Sequence, residues 1–321
     1  MLRVVILGYG EMLSNLIAGT LDSGSQLVGV FRYDRVRKSR FKRWLDDLFN
    51  PAVDYNYIKS YKIDEIKATS ANSEQFRNML MKLKPDVVLV GSWGERIEKA
   101  TFMIPRLATI NVHPSLLPKY RGPNPYLQTI KHCETQSGIS FHLMDENFDT
   151  GSILRQSIVE IAPDDTGKEL KERTVLIARL EICELLKSLD EDLIILLSQD
   201  ESKASYYSQI ESLDTMLDFS KTADEVSAHI RALHPWSKAY FCYGGEFFVA
   251  DPYHIEVLEN KTDINDCGII LAKNSKEKSL IITCANNSMI KLSRVNLYGN
   301  YIKFLTGLFI KYRIKIYDRV Y

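Results

Sequence analysis

The sequence predicts an α/β fold, a mostly parallel, Rossmann-like sheet with helices on both faces, followed by a small C-terminal β-barrel-like (OB-like) domain. Three observations carry that expectation. Apolar runs without polar alternation, "LRVVIL" (2–7) and "DVVLVG" (86–91), read as strands buried on both faces, the pattern of a parallel sheet. Stretches with helical spacing separate such runs, and strand-helix alternation builds βαβ units. From about residue 239 onward only short strand candidates remain, divided by turns.

In chain order, "LRVVIL" is the first strand, "GYG" a turn, 11–21 a helix and "QLVGVF" a second strand. A helix in "SEQFRNMLMKLK", strands in "DVVLVG" and "ATINV", a helix from about Pro125, a strand in "SGISFHLM" and an amphipathic helix around 165–187 complete the first domain. The polar stretch "SQDESKASYYSQIES" reads as a linker, so the domains are expected at 1–200 and 216–321 with a linker at 201–215. In the second domain "AYFCY", "EFFVA", "HIEVLE", "GIILA", "SLIITC" and "MIKLSRV" are the strands.

Composition excludes several classes. The chain has 321 residues, 45% hydrophobic and 26% charged, enough to bury one sizeable core and a smaller one. Lys plus Arg and Asp plus Glu both number 41, so a polyanionic partner must be met by local charge rather than by the net field. The five cysteines form no CxxC pair, which suggests neither a zinc site nor a disulfide framework. His132 and His142 lack metal-ligand spacing with His113. "MLRVVILGYGEML" is too short in its apolar part for a signal peptide and no later run approaches a membrane span, so a cytoplasmic protein is expected. "GYGEML" lacks the third glycine of a dinucleotide fingerprint, leaving a tight strand-to-helix turn.

The stretch "INVHPSLLPKYRGPNP" (110–125) places Asn111 and His113 two apart at the end of a strand, and so on one side of it. Ligands of open parallel sheets sit at such carboxyl ends. Downstream, "DENFDTGSIL" puts Asp149 and Gly151 in a turn, from which Asp149 reaches the imidazole if the two strands are neighbours. An Asn, a His and an Asp there suit transfer of an acyl-like carbon to an amine. The Asn111 amide donates to a developing oxyanion, His113 takes the amine proton, and Asp149 orients the ring and raises its pKa. A strand-capping His and an Asx-turn Asp are the structural alternative.

"NVHPSLLPKYRGPNP" with "SGISFHLMDENFDTGSIL" resembles the folate-dependent formyltransferases, in which Asn-x-His before Ser-Leu-Leu-Pro is completed by an Asp before a small residue and Gly. "LDFSKTADEVSAHIRALHPWSKAYFCYGGEFFV" (217–249) is similar to the entry of the C-terminal barrel of methionyl-tRNA formyltransferases and aminoarabinose-modifying enzymes. The resemblance implies 10-formyltetrahydrofolate as co-substrate, Asn111, His113 and Asp149 as catalytic residues, and a primary amine as acceptor. It further implies a folate pocket lined from "VVLVGSWGERI", by Ser92, Trp93, Gly94 and Ile97, with Asp145.

The acceptor is expected to be the amine of initiator methionyl-tRNA, with a nucleotide-linked amino sugar as the alternative and an inactive folate- or RNA-binding homologue as the non-enzyme reading. Departures from the tRNA enzymes are "GYGE" in place of a Gly-Thr-Pro turn, Pro114 in place of Gly after the histidine, and the lack of a Gly-Arg-Gly-Lys-Lys loop. The corresponding segment "RYDRVRKSRFKRW" (32–44) carries seven Lys or Arg and one Asp. It reads either as a phosphate contact or as an amphipathic helix with a solvated basic face. Arg37, Lys38 and Arg40 from this run and Arg121 from "KYRGP" are the acceptor-binding candidates. Trp236 in "HPW" is expected to pack between domains, and the aromatic, basic tail "YIKFLTGLFIKYRIKIYDRVY" to pack as a closing helix and strand.

Overall fold

The first strand, β1 (Arg3–Gly8), is buried along nearly its whole length because it lies inside a six-stranded sheet. The computed structural model describes residues 1–33, 52–209, 211–299 and 303–321. With β2 (Gln26–Arg32), β3 (Val87–Gly91), β4 (Ala108–His113), β5 (Gln136–Leu143) and β6 (Ile153–Glu160), the sheet has the order β2-β1-β3-β4-β5-β6. β2, β1, β3 and β4 run parallel to one another, and β5 is antiparallel to β4. Alternate residues of the central strands feed two cores, which is why their sequences are apolar without a period. Val4, Ile6, Val87 and Leu89 pack with Leu13, Leu16 and Ile17 of α1 (Gly10–Asp22) and with Ala178, Ile182 and Leu185 of α6 (Gly167–Asp190). Val5, Leu7, Val88 and Val90 pack with Phe76 and Leu80 of α3 (Glu74–Leu83) and Phe102 of α4 (Lys99–Phe102). Ser73 caps α3 by accepting from the Phe76 amide at 3.2 Å.

The turn after β1 is closed from within. Asp54 of α2 (Val53–Ser60) accepts the Gly10 amide at the N-terminus of α1 at 3.1 Å, so a carboxylate of the protein holds the position a phosphate takes in a dinucleotide fold. Arg32, at the end of β2, is fully buried, 3.2 Å from Glu65 and 4.0 Å from Asp54. Arg32→Met withdraws a guanidinium facing two carboxylates. It is expected to cost about 3–5 kcal/mol, the usual cost of breaking a buried ion pair, read as a lower urea midpoint at unchanged slope. An unaltered midpoint would mean that the buried charges do not hold the turn.

Two compact units divide the chain: residues 1–125, 137–159 and 172–208 form one, and residues 126–136, 160–171 and 209–321 the other. Among the described residues the second unit contains seven short strands, six at the expected stretches and the two-residue β13 beyond them, and those that pair with one another do so antiparallel. They fall into two sheets, β10 (Ile270–Asn274), β11 (Ser279–Thr283), β12 (Met289–Leu292) and β9 (Ile255–Leu258), and β13 (Asn296–Leu297), β8 (Glu246–Val249) and β7 (Tyr240–Tyr243). Helix α7 (Ala223–Leu233) starts with a Thr222/Glu225 capping box. Trp236 stacks on Tyr126 of α5 (Pro125–Lys131) within this unit, at 5.8 Å between ring centroids. In the tail, Ile310 of α8 (Lys303–Tyr312), Ile314 and Val320 are buried, and the Tyr321 amide donates to the Cys242 carbonyl at 2.9 Å. Among the described residues no helix is long and apolar enough to cross a membrane.

Candidate active site

The carboxyl ends of β1, β3 and β4 are level, since Gly8 pairs with Gly91 and Gly91 with Val112. The antiparallel register of β4 and β5 sets His142 directly opposite Asn111, and Ser140 opposite His113. The chain then turns through 144–152 and delivers Asp149 to the same end. Gly151 is required there, because a Cβ on it would lie 1.9 Å from the Leu143 carbonyl oxygen. Asp149 has φ of 58°, a left-handed conformation that Asp and Asn tolerate better than most side chains.

Asn111, His113 and Asp149 meet. The Asp149 Oδ1 atom accepts from Asn111 Nδ2 at 3.1 Å and lies 3.5 Å from His113 Nδ1, while Oδ2 accepts the Gly122 amide at 2.9 Å. His113 is 4% exposed and Asp149 9%. The His113 Nε2 atom is 2.8 Å from the Tyr120 carbonyl oxygen. A carbonyl only accepts, so Nε2 carries a proton and Nδ1 is the basic nitrogen of the neutral ring. The Tyr120 carbonyl, rather than Asp149, thus fixes the ring, and Asp149 faces the nitrogen that receives a proton.

Sequence reasoning missed His142, which it weighed only as a metal ligand. His142 Nδ1 donates to the Leu143 carbonyl at 2.8 Å, leaving Nε2 to accept from Asn111 Nδ2 at 3.0 Å, and Nε2 also lies 3.5 Å from Asp149 Oδ1. Both hydrogens of the Asn111 amide are therefore engaged. It can donate to a substrate oxygen only by releasing one acceptor, and the neutral His142 is the weaker of the two. The signal for His142 was its place on a strand pairing with that of Asn111, visible only once the strands are known to be antiparallel.

Burial pushes the His113 imidazole toward its neutral form, against the opposing pull of Asp149 and of the Tyr120 carbonyl, and the net shift is downward. Burial alone would raise the Asp149 carboxyl; the charge of His113 when protonated, His142 beside it and the Gly122 amide outweigh it and hold the group well below the usual carboxylate range. A carboxylate and a neutral imidazole are the resting pair at neutral pH. That is the state a general base requires.

The other expected site residues separate into four groups. Ser92, Trp93 and Gly94 directly follow β3 beside the end of β4; Trp93 packs on Phe31 at 5.3 Å and Tyr33 at 4.9 Å, and its buried Nε1 has no hydrogen-bond partner among the described residues. Ile97 is buried in the apolar core with Phe76 and Phe102, and Asp145 shapes its own loop by accepting from Thr150 Oγ1 and the Asn147 amide. Arg121 is 7% exposed, its guanidinium donating to Glu201 and Gln199. Arg37, Lys38 and Arg40 lie outside the described residues. Among the described residues no group of three His, Cys, Asp or Glu side chains is placed to hold a metal ion.

Two family models and several known proteins match this chain. The formyl transferase family model matches residues 2–182 and the formyl transferase C-terminal domain residues 209–302. The methionyl-tRNA formyltransferase of Thermotoga maritima is 29% identical over 241 residues, 74% of this chain and 75% of that protein. That of Francisella tularensis subsp. tularensis is 34% identical over 192 residues, 60% of each chain. Among solved structures, the sugar 3N-formyl transferase WlaRD, in the presence of dTDP and 5-N-formyl-THF, superposes with a TM-score of 0.67 at 18% identity, covering 94% of this chain and 99% of that one. The N-formyltransferase of Helicobacter canadensis, in complex with folinic acid and dTDP-3-aminofucose, does so with 0.67 at 18%, covering 93% and 100%. At such identities the structural likeness speaks to fold alone. The family models span both units of the fold, and the chain belongs to the formyl transferase family.

Proposed function

We propose that this protein moves a formyl group from 10-formyltetrahydrofolate to a primary amine, with the amino group of initiator methionyl-tRNA as acceptor. The observation that carries the reading is the mutual contact of Asn111, His113 and Asp149 at the carboxyl ends of the parallel strands. The co-substrate supplies an electrophilic formyl carbon. The unpartnered Trp93 Nε1 donor beside that end of the sheet fits a heteroatom-rich ring. His113 Nδ1 takes the proton of the attacking amine, with Asp149 alongside to stabilise the imidazolium, and an Asn111 N–H released from His142 turns to the developing oxyanion; when that oxyanion collapses the formyl C–N10 bond breaks, and the imidazolium returns its proton to N10 of the departing tetrahydrofolate. The incoming amine is itself the nucleophile, so neither Ser nor Cys is needed.

The tRNA acceptor draws on the curated relatives, which are methionyl-tRNA formyltransferases. A nucleotide-linked amino sugar is the second reading. It draws on the sugar enzymes matching this chain almost end to end, and on Arg32, which is buried in an ion cluster and so withdrawn from the basic run. Incubation with 10-formyltetrahydrofolate and either charged initiator tRNA or nucleotide 3-amino and 4-amino sugars, with folate release monitored, separates the two. On tRNA, the Arg37→Ala, Lys38→Ala, Arg40→Ala triple variant is expected to raise the Michaelis constant and to flatten the dependence of log affinity on log salt by about one unit per lost phosphate contact. Turnover of a sugar, with none on tRNA at low salt, would replace the first reading by the second.

A further inference from the structure

The segment 198–207 reads as a linker in the sequence and lies in the gap between the two family models, the first of which ends at 182 and the second of which begins at 209. It is built into the site. Gln199 donates both hydrogens of Nε2 to catalytic-loop carbonyls, that of Asp149 at 2.8 Å and that of Gly151 at 2.8 Å. Its Oε1 accepts from Arg121, with Nη2 at 2.7 Å and Nε at 3.3 Å. The orientation of the amide is thereby fixed, since only its nitrogen can face two carbonyls and only its oxygen a guanidinium. Glu201 holds the other side of Arg121 at 2.6 and 2.9 Å.

The same segment grips the loop that carries the carbonyl partner of His113. The Tyr120 amide donates to Ser205 Oγ at 2.9 Å, the Arg121 amide to the Ser205 carbonyl at 2.9 Å, and the Tyr207 amide to the Arg121 carbonyl at 3.0 Å. Gly122 completes the arrangement, because a Cβ there would lie 2.1 Å from the Tyr207 carbonyl oxygen, and its own amide holds Asp149. One short segment therefore fixes the two loops whose separation sets the contact between His113 and Asp149.

We propose that Gln199 is a positioning residue for formyl transfer, clamping the left-handed Asp149 turn to the Tyr120–Gly122 loop through Arg121 so that the carboxylate stays against His113 and Asn111. This rests on the assignment of Asn111, His113 and Asp149 as the catalytic set. Gln199 acts through backbone carbonyls, so its loss alters placement and leaves the reacting groups in existence. A misplacement of about 1 Å at a reacting group can cost on the order of a hundredfold in rate.

Two variants of the full chain test it, Gln199→Glu and Gln199→Met. Glu keeps the shape and the Arg121 contact but sets a carboxylate oxygen against the two carbonyls; Met removes both contacts without adding charge. Each is expected to lower kcat by roughly tenfold to a hundredfold per folate-binding site, counted by titration with 5-formyltetrahydrofolate, with both Michaelis constants within about threefold of the parent. Counting per site removes misfolded protein from the comparison. Should both variants fail to bind folate, Glu201→Ala serves in their place, because Glu201 is exposed and joins the clamp only through Arg121. Its expected result is a fall in kcat of a few fold with folate binding kept. A parental kcat per site in Gln199→Glu and Gln199→Met, or in Glu201→Ala where those two do not fold, overturns the proposal. His113→Ala assayed alongside distinguishes the failures: if it too is fully active, the catalytic assignment is at fault rather than the clamp.

Discussion

Asp149→Asn is expected to lower kcat by on the order of a hundredfold or more while the protein stays folded and binds folate. The substitution isolates charge from backbone. Asparagine adopts the left-handed conformation at φ of 58° about as readily as aspartate, whereas alanine would add strain to the loss of the carboxylate. What Asn cannot reproduce is two acceptors. Oδ1 receives Asn111 and Oδ2 receives the Gly122 amide, so one of those donors must face an amide NH2 in the variant. The imidazolium formed at His113 also loses its adjacent anion, a deficit felt in the transition state and not in substrate binding. Stability changes in a defined pH window. Because the folded carboxyl titrates below its ordinary value of 3.8, its ionised form stabilises the fold above that pH and the contribution is lost as pH falls through the folded value. The urea midpoint of the parent should exceed that of the variant at neutral pH and converge on it in acid. Parental turnover would remove Asp149 from the chemistry.

The parts of this protein legible in its sequence are those set by local pattern. β1 and β3 announce themselves as unbroken apolar runs because both their faces meet a core, and Asn111 and His113 fall on one side of β4 through the two-residue period alone. The turn that presents Asp149 is marked by Asp-Thr-Gly, whose glycine is demanded by the Leu143 carbonyl. What depends on register was not legible. His142 joins the site because β5 runs antiparallel to β4, and nothing in its neighbours along the chain states that direction. Arg32 reads as the first cation of an exposed basic run, yet Asp54 and Glu65, 22 and 33 residues away, enclose it. Arg121 reads equally well as an acceptor contact, while its guanidinium is taken by Gln199 and Glu201 from a stretch with the composition of a linker. Polar composition reports that a segment buries little apolar surface; it does not report whether its hydrogen bonds go to water or to a catalytic loop.

The pH profile tests the assignment of His113 as base. Four groups face the ring: the Asp149 carboxylate and the Tyr120 carbonyl, which favour the protonated form, and Arg121 and, when it is itself protonated, His142, which oppose it. Burial is the largest influence and the net shift is downward, so the acid limb of kcat/KM should fall below pH 6.5, the ordinary imidazole value, and the enzyme should keep its rate as pH passes through 6.5. Asp149→Asn removes one of the two groups that raise the imidazole and should carry what remains of that limb to still lower pH. His113→Ala should cost about a hundredfold to ten-thousandfold in kcat and abolish the limb, because the variant holds no proton acceptor at the position of Nδ1. A limb retained at the parental pH in His113→Ala would assign the titration to another group, and a limb lying above 6.5 in the parent would mean that the Asp149 anion, not burial, governs the ring.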